Sequence, residues 1–115
     1  MSRDYGDYLE DILYSIDAIE EFTCGLDLED FLEDKKTVFA VVRSFEIIGE
    51  ATKNIPFDIK DKYPDVPWKN MAGMRDVVIH GYFGVDNAVI WKTLKEDIPG
   101  LKEKIKKILG EIEAD

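Results

Sequence analysis

Apolar residues return every three or four positions along almost the whole chain, and nowhere do they alternate strictly with polar ones. The first spacing is that of a helix with one buried face, and the second would be that of a half-buried strand. Tyr5, Tyr8, Leu9, Ile12, Leu13, Ile16 and Ile19 carry the pattern at the start, with Asp7, Glu10, Asp11, Asp17, Glu20 and Glu21 between them. A helix striped in this way is stable only when the stripe is covered, so several such helices in one chain must cover each other. The expected fold is all-α: an antiparallel bundle of four to five helices, formed as one domain over residues 1–115.

The punctuation between stripes sets the expected boundaries. Ser2 or Asp4 can cap the first helix, which runs from Asp4 to Phe22, and Gly25 stops it. Cys24, at that end, reads as a small buried or half-buried filler, because no nearby base would activate a thiolate. Leu26 to Asp34 is short and acidic, a helical turn that reverses the chain. Lys35 to Ile55 is the second long helix, with a large apolar stripe (Val38, Val41, Val42, Phe45, Ile48, Ile55) and a stripe of small residues (Thr37, Ala40, Ser44, Ala51). Two stripes let it pack against two neighbours, which makes it the central helix. Gly49 in its middle costs up to about 1 kcal/mol against alanine, and points to close approach by another backbone. Glu50 beside it reads as a solvated face residue, or else as an acceptor toward an active centre.

Pro56 ends that helix, and Pro64 and Pro67 follow in a loop around one helical turn. The next helix is expected from Trp68 to His80, with Trp68, Met71, Ala72, Val78 and Ile79 apolar and Gly81 as its stop. Asp86 can cap a helix holding Val89, Ile90, Trp91 and Leu94, with Pro99 at its end or at a kink. The last helix is expected from Gly100 to Glu113, turning Leu101, Ile105, Ile108, Leu109 and Ile112 inward and its lysines outward.

Fifteen Lys and Arg against 25 Asp and Glu leave a net charge of −10, which taken alone disfavours a nucleic-acid partner. Its distribution changes that reading. Residues 1–34 hold twelve Asp and Glu against one Arg, a balance of −11, and the remainder of the chain is at +1. The acidity suits a solvated helix face or a docking surface for a basic protein. No apolar run reaches the roughly 18 residues of a membrane helix, and the start lacks the apolar core of a signal peptide. The single cysteine rules out an internal disulfide framework, so the cytoplasm is the expected location.

Chemistry concentrates between Met71 and Asp86. That stretch holds the only histidine, His80, with Arg75 and Asp76 before it and Tyr82 after it. Each helical residue advances about 100°, so Arg75 and Tyr82, seven apart, fall within about 20° of one stripe. That stripe is the apolar one, shared with Ala72, Val78 and Ile79, and a cation there must be paired or line a polar cleft. Arg75 and His80 diverge by about 140° on one regular helix. They converge only if Gly81 unwinds the last turn or a second subunit supplies one of them. Asp76 and His80 are four apart and share a face, so Asp76 can accept from the imidazole and fix its tautomer.

Two accounts of these residues stay open on residue types alone. In the structural one, Arg75 pairs with a carboxylate of the bundle and His80 is a helix C-terminal residue favoured by the dipole. In the functional one, they form a phosphodiester site. Arginine matches phosphate oxygens with its fork, and histidine does acid–base work near neutral pH. RNA suits the pair because its own 2′-hydroxyl can be the nucleophile. In-line cleavage needs a base and an acid, and one histidine per chain supplies both only in a two-fold dimer. One His and one Cys leave no usual metal-ligand set. Tyr82, beyond Gly81, either packs on the next helix or presents its hydroxyl to solvent.

These residues resemble the R-x4-H-x-Y motif of HepT-like proteins in the HEPN (higher eukaryote and prokaryote nucleotide-binding) superfamily. Asp76 stands where a polar residue usually follows the arginine. The likeness continues through Asp7-Tyr-Leu-Glu-Asp-Ile-Leu13, Ile48-Gly-Glu-Ala51, Trp68 with Met71-Ala-Gly-Met74, Gly84-Val-Asp86 and Val89-Ile-Trp91. The resemblance implies a homodimeric helical bundle with paired motifs facing one cleft. It also implies a metal-independent, cofactor-free endoribonuclease that is the toxin of a toxin–antitoxin pair. The implied partner is an MntA-like nucleotidyltransferase that silences the toxin by moving AMP from ATP onto the motif tyrosine. Carried across, Arg75 holds the scissile phosphate, His80 does acid–base chemistry, Asp76 supports it and Tyr82 accepts AMP. The rival reading is a non-catalytic HEPN dimer that binds nucleotide or substrate for a nucleotidyltransferase; a plain helical adaptor is the third.

Overall fold

The computed structural model describes residues 4–76 and 87–114. Among them the chain forms seven helices and no strand: α1 (Tyr5–Thr23), α2 (Leu28–Glu33), α3 (Lys35–Lys53), α4 (Phe57–Lys62), α5 (Trp68–Ala72), α6 (Asn87–Glu96) and α7 (Ile98–Ala114). The expected all-α bundle is the observed one. Val78, Ile79, Gly81 and Asp86, and the helix end and cap read from them, lie outside the described residues, as do Ser2, His80 and Tyr82.

Local chemistry sets most boundaries. Asp4 caps α1 by accepting from the Asp7 amide at 3.0 Å. The chain leaves α1 through Gly25 at φ 79°, a left-handed conformation that favours glycine. Asp27 and Asp30 close a reciprocal capping box around the start of α2. Asp34 caps α3 twice over: one carboxylate oxygen accepts from the Thr37 amide at 3.1 Å, the other from its hydroxyl at 2.7 Å. Those hydrogen bonds hold the Asp34 carboxyl below its ordinary pKa, the Thr37 hydroxyl contributing most.

Leu9, Ile12, Ile16 and Ile19 of α1 meet Val41, Phe45 and Ile48 of α3, and all are fully or almost fully buried. Each such side chain contributes about 1.5–3 kcal/mol by leaving water, which makes this seam the principal source of stability. Ile90 and Leu94 of α6, and Ile98, Leu101, Ile105 and Ile108 of α7, complete the core. The N-terminal part of α1 lies beside Leu109 and Ile112, late in α7. Lys102, early in α7, bridges to Asp17 and Glu20, late in α1. The two helices are therefore antiparallel. Lys102 is half-buried and paired, unlike the freely outward lysine its sequence suggests. Its ammonium is held above the usual lysine pKa, chiefly by the Asp17 carboxylate.

Three sequence expectations are corrected. Cys24 is exposed: it is the C-cap of α1, while Thr23 takes the buried place before it and bonds the Ile19 carbonyl at 2.7 Å. The last helix begins at Ile98 and not at Gly100. Pro99, just past the turn at Asp97 that separates α6 from α7, therefore lies in the first turn of α7, where its missing N–H has no helical partner to lose. The helix expected from Trp68 onward is interrupted: α5 stops at Ala72, Gly73 is a turn, and residues 74–76 are helical again. Across that break the Asp76 amide bonds the Gly73 carbonyl at 3.0 Å, a three-residue step. Such a step turns the chain more tightly than an α-helix does.

Candidate active site

The break at Gly73 decides where Arg75 goes. Met71 and Met74 are buried, and Met74 faces a recess shared with Gly100, Leu101 and Lys104 of α7. Arg75, one residue on, lies against α3 instead. A Cβ built on Gly49 would stand 2.9 Å from the Arg75 Cβ, 3.0 Å from its amide nitrogen and 3.2 Å from the Ala72 carbonyl oxygen. Only a residue without a side chain admits a backbone that close, which is the close approach expected from Gly49. The missing side chain therefore marks the seat of the candidate motif.

From that seat the Arg75 side chain runs outward along α3. Its Nη1 donates to Glu50 Oε2 at 2.8 Å, a charge-assisted hydrogen bond between residues 25 apart in sequence. The arginine side chain is 46% exposed and the glutamate 59%. Both readings of Glu50 hold: it is on a solvated face, and it accepts from the candidate site. Arg75 is not on a buried stripe, as helical arithmetic suggested. Its base is packed and its charged end is wet, paired at the rim.

An ion pair this exposed contributes only about 0.2–1 kcal/mol to folding. Among the described residues Glu50 is the one polar partner of Arg75. A guanidinium has five N–H donors, so one bond to Glu50 leaves donors for a second anion such as a phosphodiester. Asp76 is exposed, and its amide is tied to Gly73. Arg75 and Asp76 thus start the motif at the protein surface. His80 and Tyr82, and the expected pairing of Asp76 with His80, lie outside the described residues.

The signal that sequence reading missed is Phe31. It sits in the short acidic α2, is fully buried, and its ring stands 5.2 Å from that of Trp91 at 39°. This contact ties α2 to α6, the helix that follows the motif. An aromatic amid five acidic residues from Asp27 to Asp34 was the available clue.

The chain matches the family model described as Ribonuclease HepT-like over residues 12–108. It is 61% identical over 108 residues to a Thermococcus cleftensis protein named "Probable ribonuclease HepT", covering 94% of this chain and 98% of that one. Two Methanocaldococcus jannaschii proteins, each named as a candidate RNase, are similar to it as well. One is 48% identical over 96% of both chains, and the other is 49% identical over 96% of this chain and 92% of its own length. No solved structure matches it. Family match and relatives agree along nearly the full length, and the chain belongs to the HepT-like family of HEPN-type ribonucleases.

Proposed function

We propose that this chain is a metal-independent endoribonuclease, the toxin of a HepT/MntA-type pair, with Arg75 and His80 catalytic, Asp76 supporting and Tyr82 the acceptor of AMP. The observation that carries the reading is the complete motif of Arg75, His80 and Tyr82 within a chain that matches the HepT-like family over residues 12–108. The 61% identical relative named for ribonuclease activity supports it. So does the seating of Arg75 on Gly49 with its guanidinium at the surface.

The chemistry needs few parts. Arg75 takes two oxygens of the scissile phosphate and offsets the charge that builds on them. The ribose 2′-oxygen attacks phosphorus and gives its proton to one imidazole, while the bond to the 5′-oxygen breaks. That oxygen takes a proton from a second imidazolium, leaving a 2′,3′-cyclic phosphate and a 5′-hydroxyl. Each chain has one histidine, so the two copies of His80 come from a homodimer with paired motifs in one cleft.

Regulation acts on the same cleft. The Tyr82 oxygen attacks the α-phosphorus of ATP on an MntA-like nucleotidyltransferase, and pyrophosphate leaves. The added AMP brings bulk and negative charge beside Arg75, where RNA phosphate would sit. The acidic residues 1–34 suit docking of a basic antitoxin.

Purified chain incubated with RNA and a chelator should cleave it, leaving cyclic-phosphate ends, and His80→Ala should stop cleavage while the protein remains folded. Expression alone should arrest bacterial growth, with the same substitution relieving it. With the neighbouring nucleotidyltransferase and ATP, mass should rise in AMP steps that Tyr82→Phe abolishes. Intact RNA with well-folded wild-type protein overturns the nuclease reading.

A further inference from the structure

We propose that Glu50 is a positioning residue for Arg75, holding the guanidinium by one nitrogen so that its remaining donors are presented to RNA phosphate in a single orientation. The inference rests on the nuclease reading given above. Its basis is two consecutive residues of α3 that act on the same arginine. Gly49 admits the Arg75 backbone, and Glu50 takes the end of its side chain at 2.8 Å.

The remaining geometry favours orientation over other uses. Both side chains are about half exposed, so the pair is a poor source of folding stability. The bond is made through Nη1 to one carboxylate oxygen, not as a fork on a fork, so the pairing leaves the rest of the guanidinium unengaged by Glu50. An arginine fixed at its Cα and free along its stem would sample many rotamers. Fixing its tip removes that freedom before RNA arrives. A carboxylate at this spot also repels phosphate, and would weaken ground-state binding if simple attraction were the purpose. The arrangement therefore favours rate over affinity.

The test compares wild type with Glu50→Ala, Glu50→Gln and Arg75→Lys in the full chain, measuring kcat and KM on RNA together with thermal melting. Glu50→Ala should lower kcat by about ten- to a hundredfold, as misorientation of a group at the chemistry does. Its KM should change by no more than about twofold, because the RNA contacts themselves remain. Glu50→Gln, which retains an acceptor oxygen, should recover part of the rate. Melting should barely move. A Glu50→Ala protein that cleaves as fast as wild type or faster would mean that Glu50 does not position Arg75, and the proposal would fail. A rate loss matched by a collapsed melting temperature would mean a structural role, and would also overturn it.

A second measurement does not depend on catalysis. The chain has three arginines, Arg3, Arg43 and Arg75, so their side-chain nitrogen resonances can be assigned by Arg75→Lys. Slowed rotation of the Arg75 guanidinium in wild type, released in Glu50→Ala, supports the positioning. Free rotation in wild type removes it. An inactive wild type with a restrained Arg75 would instead sink the nuclease reading, and with it the catalytic purpose of the pair.

Discussion

Gly49 and Arg75 meet with no room for a side chain between them: a Cβ on Gly49 would be 2.9 Å from the Arg75 Cβ and 3.0 Å from its backbone nitrogen. Backbone cannot step aside as a flexible side-chain tip can. On an open helix, glycine to alanine would gain about 1 kcal/mol. Here overpacking costs about 1–3 kcal/mol, so the clash should prevail. Gly49→Ala should lower the urea midpoint and reduce RNA cleavage by more than the stability loss explains, because the displaced element carries Arg75. An alanine variant with unchanged stability and rate would show that the two elements separate freely.

Phe31 is the only fully buried side chain of α2, and it packs on Trp91 of α6. Truncation to alanine leaves a cavity and strips α2 of its anchor. The expected loss is about 3–5 kcal/mol, enough to unfold a marginal bundle. Phe31→Leu should retain the fold at a smaller cost. Chemical denaturation followed by tryptophan fluorescence would measure both, and a small effect of the alanine change would place α2 outside the cooperative core.

Ser15 presents the opposite case. It is buried on α1, and its hydroxyl oxygen has no hydrogen-bond partner among the described residues. A buried hydroxyl without a partner costs about 1–3 kcal/mol, and alanine is the better helix former. Ser15→Ala should therefore raise the melting temperature. Destabilisation on that change would reveal a partner for the hydroxyl, such as bound water.

Asp34 makes the start of α3 sensitive to acid. Its carboxyl is more acidic folded than unfolded because Thr37 donates to it twice. Its contribution is then complete above the unfolded pKa and is lost as pH falls through the lower, folded value. Melting curves of wild type and Asp34→Ala should differ near neutrality and converge from about pH 4 downward. A gap that persists at the acid end would mean that the carboxylate charge is not what caps the helix.

Much of the scaffold was legible from residue order, and the reason is range. The cap at Asp4 acts on an amide three residues ahead. The stripes of α1, α3 and α7 need only the 3.6-residue repeat. Where reading failed, a tertiary neighbour or a tighter local step intervened. Cys24 looked like filler, yet Thr23 occupies the buried place beside it. Phe31 was hidden among acids because its partner, Trp91, is sixty residues away. Gly73 looked like an ordinary position of a long helix, and it breaks that helix.

Residue order alone determined an all-helical chain, the cap at Asp4, the motif of Arg75, His80 and Tyr82, and a glycine in α3 that awaits another backbone. Tertiary structure decided which backbone that is, and where the arginine's charge ends. Helical periodicity gives direction around one axis, whereas the meeting of Glu50 with Arg75 depends on how two separate helices pack. No local rule spans those 25 residues. The packing at Gly49, and the tight turn at Gly73 that delivers Arg75 to it, do.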